Sequence, residues 1–135
     1  MAWDNIPFTD ELATLASQTR AVCWGSLAQR NEVSRNTISK FIASMPADSL
    51  KVFDINLRQS FYTKEIIEKS FEMCDILKIN DEELIVVSQM LTGKECADDM
   101  LDDEVKEICN DMICRYGIKM LLKHFDAVFW FDFFP

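Results

Sequence analysis

The chain has 135 residues, 49% hydrophobic and 27% charged, with a formal net charge of −9. That is one domain's worth of globular sequence, able to bury roughly 65–70% of its unfolded surface. The acidic balance and the absence of a basic stripe argue against nucleic acid, because nothing is available to displace counterions from phosphates. The first apolar residues, Trp3, Ile6 and Phe8, are interrupted by Asp4, Asn5 and Pro7, so they do not read as a signal peptide. No apolar run approaches the ~20 residues of a membrane span. A cytoplasmic protein without membrane contact is expected.

Helical and strand patterns alternate along the chain. Thr9 is placed to cap a helix carrying Leu12, Leu15 and Ala16 on one face. The run AVCWG (21–25) is short, apolar and ended by glycine, which predicts a buried strand. Ile38, Phe41, Ile42 and Met45 follow the spacing of an amphipathic helix that Pro46 stops. LKVFDI (50–55) is a second strand. Thr63 caps the next helix, which turns Ile67, Phe71 and Cys74 inward. DILKI (75–79) is a third strand, and NDEELIVVSQML opens another helix. Leu101, Val105, Ile108 and Met112 repeat along a longer helix ended by Gly117, and IKMLL (118–122) is a fourth strand.

This alternation implies βαβ units with right-handed crossovers and an α/β fold: a Rossmann-like parallel sheet with flanking helices, covered on both faces. The five cysteines (Cys23, Cys74, Cys96, Cys109 and Cys114) include no CxxC pair, and His124 is the sole imidazole. A zinc site is not expected, and the thiols read as buried structural groups.

Open parallel sheets bind ligands outside the carboxyl ends of their strands. At the second strand's end Asp54, Asn56 and Arg58 alternate with Ile55 and Leu57, and in extended backbone that spacing sets the three polar side chains on one side. Gly25 and Ser26 leave the first strand, and Asn80 leaves the third, followed by Asp81, Glu82 and Glu83. Arg58 could hold a phosphate and Asn56 could orient it. Simpler readings compete. Asn80 and Glu83 have the spacing of a capping-box pair, and Asp54 with Arg58 would make an ordinary loop ion pair. No GxGxxG or GxxxxGK[ST] element occurs. A phosphatase reading of FDINL fails, since Asn56 stands where a second aspartate would be needed.

The stretches AVCWGSLAQRNEVSRNTI, LKVFDINLRQSFYTKEIIEKS and CDILKINDEEL, taken in order, resemble the ribokinase-like (PfkB-type) carbohydrate kinases, with the bacterial fructokinases as the nearest branch. The resemblance runs from about residue 2 to residue 121. Asp54, Asn56 and Arg58 match the family's D-x-N-x-R element, and Asn80 with Glu83 matches N-x-x-E. The resemblance implies a partial ribokinase-like fold and ATP-dependent phosphorylation of a sugar hydroxymethyl group, with ATP and Mg²⁺ as cofactors. It would place Asn56, Arg58 and Asn80 near the phosphates and Glu83 on a magnesium ion through water. Ser26, Gln29 and Asp54 would border the sugar.

The same resemblance has gaps. The family's glycine-rich sugar-gripping segment and β lid are not matched. Gly25, Gly93 and Gly117 are the three glycines and none precedes an aspartate, so the G-x-G-D element that carries the general base is not matched either. Phosphoryl transfer by this chain alone is therefore not expected, and a non-catalytic interaction or oligomerising module is the alternative. Residues 1–122 are assigned to the kinase-like part and 123–135 to a divergent tail. The tail, KHFDAVFWFDFFP, reads either as the product of a shifted or truncated frame or as an edge strand with its own packing. Its aromatics, from Phe125 to Phe134, would each contribute roughly 1.5–3 kcal/mol on burial. Unpaired strand edges and an apolar tail together imply self-association.

Overall fold

The computed structural model describes residues 1–93, 102–125 and 128–133. Four strands, β1 (Ala21–Trp24), β2 (Leu50–Asp54), β3 (Ile76–Asn80) and β4 (Met120–Phe125), pair in parallel in chain order. A fifth, β5 (Val128–Phe133), lies antiparallel against β4. The helices α1 (Asp10–Gln18), α2 (Glu32–Ala43), α3 (Lys64–Met73), α4 (Asp81–Thr92) and α5 (Asp102–Tyr116) fall where the apolar spacing places them. Side chains of Thr9, Asn31 and Thr63 accept the backbone N–H groups of Leu12, Val33 and Ile66, satisfying donors that a helix start leaves free. Gly93 ends α4 at φ 69°, a left-handed turn that a side chain would strain.

Each crossover joins adjacent strands. A right-handed connection between neighbours taken always in the same direction puts every helix on the same side of the sheet. One core results: Trp24, Phe53, Ile55, Leu77, Ile79 and Leu121 from the sheet meet Ile67, Phe71, Leu84, Val87, Ile108 and Met112 from the helices. Its centre is aromatic. Trp24 and Phe53 have ring centroids 5.5 Å apart, Phe53 meets Phe71 at 6.0 Å and Phe71 meets Tyr116 at 5.4 Å, the last two edge to face.

The expectation of helices on both faces is therefore corrected. Strand residues alternate, and those facing away from the core (Ala21, Cys23, Leu50, Val52, Ile76, Met120 and Leu122) are all exposed or only partly covered. Two further corrections concern the cysteines and α1. Cys23 lies on that open side and is exposed, while Cys74 and Cys109 are buried; Cys114 is exposed on α5, and Cys96 lies outside the described residues. On α1 the buried position is Ala16, whereas Leu15 is exposed; the helix packs mainly against α2. Leu101 also lies outside the described residues. The tail is drawn into the sheet: β4 runs through the division between residues 122 and 123, and β5 pairs with it from Phe133 opposite Met120 to Val128 opposite Phe125.

The amino-terminal segment docks on α2 through polar groups. Ser34 Oγ accepts from the Ile6 N–H at 2.9 Å and donates to the Trp3 carbonyl, and Thr37 Oγ1 donates to the Ile6 carbonyl at 2.6 Å. Arg30 binds Asp4 with both fork nitrogens at 2.7 Å, and its guanidinium lies 4.6 Å from the Phe61 ring. The guanidinium's hydrogen bonds hold the Asp4 carboxyl at about 2, below its ordinary 3.8. A depressed folded-state value stabilises above the unfolded value and is lost as pH falls through the folded one. Acid unfolding followed by circular dichroism should therefore show an Asp4-dependent loss of stability between about pH 4 and pH 2. Asp4→Asn should remove that component and lower stability at neutral pH; an unchanged acid limb in the variant would show that the pair does not act.

Candidate functional site

Parallel neighbours β2 and β3 end side by side, at Asp54 and Asn80, so the loop after β2 and the start of α4 share one rim. Extended backbone does not continue through Arg58. The strand stops at Asp54, Ile55 turns into the core, and Asn56 adopts φ 41° with Gln59 at φ 49°. Asparagine enters the left-handed region at low cost, and doing so breaks the alternation that would have aligned Asp54, Asn56 and Arg58. The extended run expected to align the three is therefore interrupted at Asn56.

Asp54 pairs with Lys78, its cross-strand register partner, at 3.2 Å, and not with Arg58. Arg58 is exposed and makes no ion pair among the described residues. Asn56 is exposed beside it. A positive, solvent-facing guanidinium thus stands at the rim with its donors uncommitted to a carboxylate.

Asn80 and Glu83 form a full capping box. Asn80 Oδ1 accepts the Glu83 N–H at 2.8 Å, and Glu83 Oε2 accepts the Asn80 N–H at 3.0 Å. The other oxygen, Oε1, accepts the Leu57 N–H at 3.1 Å. One carboxylate, 9% exposed, therefore caps α4 and clamps the β2 loop to it. Capping spacing was readable in the sequence. The Leu57 contact was not, because it joins residues 26 apart. Lys78 was also missed, although it stands two positions before Asn80 on the same strand face and so was signalled by period-two alternation. Asp81 is engaged as well, by Lys123 at 2.5 Å, which is buried on the core side of β4.

Ser26 and Gln29 are each 1% exposed. The Ser26 N–H donates to the Ile55 carbonyl and its Oγ to the Asn56 carbonyl, both at 3.3 Å. Gln29 Nε2 donates to the Gly25 carbonyl and to Ser70 Oγ, both at 2.9 Å. A Cβ at Gly25 would stand 3.1 Å from the Asp54 carbonyl, so glycine lets β1's exit pass close to β2. These residues lock the rim's floor. Gln29 also borders a polar cleft of about 460 Å³ on the helical side, between α2 and α3, with Arg35, Asn36 and Lys69. Burial pushes the Cys74 thiol up to about 12, which leaves it an inert core group.

The donor set bears on magnesium and ATP. Asp54, Asp81 and Glu83 each already hold a protein partner, and no three His, Cys, Asp or Glu side chains gather at a metal position among the described residues. A hydrated ion touched through water by Glu83 fits this arrangement, since Mg²⁺ keeps several waters and takes few protein carboxylates. Arg58 fits a phosphate. Replacing Glu83 strands two backbone donors, so Glu83→Ala should cost about 2–3 kcal/mol in urea denaturation. Glu83→Gln, with one acceptor oxygen left, should fall between wild type and alanine; equal stability of all three would show that the clamp is dispensable.

No family model matches the chain. In sequence it is 27% identical over 107 residues to a Pyrococcus horikoshii protein described as a sugar kinase, covering 75% of this chain and 34% of that protein. In structure it is similar to the ATP-bound fructokinase of Xylella fastidiosa (TM-score 0.67, 14% identity, 85% of this chain and 34% of that one). It is also similar to the Vibrio cholerae fructokinase bound to fructose, ADP and calcium (TM-score 0.63, 22% identity, 84% and 35%). The chain thus spans about a third of the length of these relatives. No described helix is long and apolar enough to cross a membrane. In sequence and in the order of its strands and helices, the chain resembles, and has the fold of, part of a ribokinase-like (PfkB-type) sugar kinase.

Proposed function

We propose that the rim of β2 and β3 is the phosphate-facing edge of a sugar kinase site of the fructokinase type, using ATP and Mg²⁺ to phosphorylate a sugar hydroxymethyl group in the cytoplasm. The observation that carries this reading is the Glu83 clamp, which brings the loop bearing Arg58 against the Asn80 end of β3. Arg58, exposed and unpaired with any described carboxylate, would meet the transferring phosphoryl group, where positive charge is the main catalytic need. Asn56 would orient the phosphates beside it. The Asn80 amide nitrogen is not used by the capping box and would donate to a phosphate oxygen. Glu83 would hold a magnesium-bound water, and the ion would supply charge neutralisation between phosphates. Asp54 would border the sugar with its charge balanced by Lys78, while Ser26 and Gln29 would act from beneath, holding the two loops in place.

No G-x-G-D element occurs in the 135 residues, so the proton acceptor for the sugar hydroxyl is not among the groups at this rim. The rim binds and positions, and transfer by these residues alone stays at background. A non-catalytic interaction module is the second reading, favoured by the uncovered side of the sheet. Two measurements test the proposal. Titration with ATP and Mg²⁺ should show binding that Arg58→Ala weakens by about 1.5–3 kcal/mol, at least about tenfold in Kd. Incubation with ATP and fructose, after removal of host kinases, should give no sugar phosphate. Binding indifferent to Arg58 would refute the phosphate role, and Arg58-dependent transfer would refute the inactivity.

A further inference from the structure

The loop between β2 and α3 presents Arg58 on a turn, Arg58 to Phe61, whose residues are all exposed. The turn is tight: the Phe61 N–H donates to the Arg58 carbonyl at 3.1 Å, and Gln59 sits at φ 49°. Glutamine gains nothing from the left-handed region, so this conformation persists only where its surroundings hold it. Before the turn, the Leu57 N–H is tied to Glu83. Within the turn, the contact from another element is the Arg30 guanidinium, 4.6 Å from the centre of the Phe61 ring. Among the described residues no other ion pair, hydrogen bond or ring contact joins residues 58–61 to the rest of the molecule. Arg30 is itself held. It follows the short helical turn Leu27–Gln29 at the exit of β1, and Asp4 grips both of its fork nitrogens at 2.7 Å, which fixes the guanidinium plane.

We infer that Arg30 is a positioning residue of the rim: clamped by Asp4, it holds the Phe61 ring and so fixes the turn that presents Arg58. The inference rests on the phosphate role proposed for Arg58 and adds the device that aims it. Chemistry favours arginine for this task. A guanidinium spends its edge on a carboxylate and its face on a ring at the same time, whereas an ammonium is a compact point charge without a plane to fix. Entropy is the physical gain. A phosphate that meets a mobile turn must order it on binding, and a turn already fixed lowers that cost. A cation–π contact at a part-exposed site corresponds to about two- to fivefold in the opening equilibrium of the turn. Three separate segments build the device, one residue from each: Asp4, Arg30 and Phe61.

Amide hydrogen exchange of the full chain, resolved by residue with NMR, tests the anchoring without any ligand. Phe61→Leu removes the ring and keeps apolar bulk. It should speed exchange at the amide of residue 61 by about two- to fivefold after correction for intrinsic rate. The Leu57 amide, held by Glu83, should stay as it was. Phe61→Tyr should restore wild-type exchange, and Arg30→Lys, with the ring in place, should act like Phe61→Leu. Titration with ATP and Mg²⁺ reads the consequence. Phe61→Leu should weaken binding by about two- to fivefold, and this loss should vanish in the Arg58→Ala background, because the turn acts through that side chain. A merely structural role would weaken both backgrounds alike. Exchange at residue 61 unmoved by both Phe61→Leu and Arg30→Lys would overturn the inference, as would equal losses of ATP binding with and without Arg58. Arg58→Ala without effect on ATP binding would instead overturn the phosphate reading, and exchange alone would then decide whether Arg30 holds the turn.

Discussion

Right-handed crossing between strands that neighbour one another in chain order is the constraint from which the rest of this molecule follows. β1 to β4 never reverse direction across the sheet, so α2, α3, α4 and α5 share one side. The consequence is asymmetric. Trp24, Phe53, Leu77 and Leu121 disappear into a helical core, while their neighbours one residue away in sequence stand on an open surface. A single alternation of side chains thus separates a helical core from the open side of the sheet.

Carboxyl strand ends obey the same geometry. Parallel neighbours deliver their exits to one edge, and that edge collects the loop after β2 and the start of α4. What converts proximity into a defined rim is hydrogen bonding. Glu83 accepts from two backbone N–H groups, one at its own helix start and one on the neighbouring loop. Ser26 does the corresponding work from β1, joining its exit to Ile55 and Asn56. The cap of α4 and the tie to the β2 loop are therefore made by one carboxylate. A cap built this way fixes the loop that presents Arg58.

Opposite charges at the rim are distributed with little waste. Lys78 balances Asp54 and Lys123 balances Asp81, so each of the two strand-end carboxylates meets a lysine from β3 or β4. Arg30 balances Asp4 farther out and leans on Phe61, beyond Arg58 in the same loop. Arg58 is left facing solvent. Arg58 thus differs from Lys78 and Lys123, each of which meets a carboxylate at the rim.

Local pattern in the sequence determined the helices, their caps, the four parallel strands and the order of the motifs. Thr9, Thr63 and Asn80 cap where their spacing to the next apolar run places them, because capping is a contact within three residues. Period-two and period-3.6 patterns separate strand from helix for the same short-range reason. Tertiary structure decided what depends on distant residues. Which carboxylate meets which lysine was set by strand register, so Asp54 found Lys78 rather than Arg58. The sense of the polar triplet was set by one positive φ at Asn56. Whether the sheet is covered on one side or two depends on the spatial order of strands, which alternation of elements leaves open. The aromatic segment after β4 became β5 because an unpaired strand edge offers hydrogen bonds to whatever follows it.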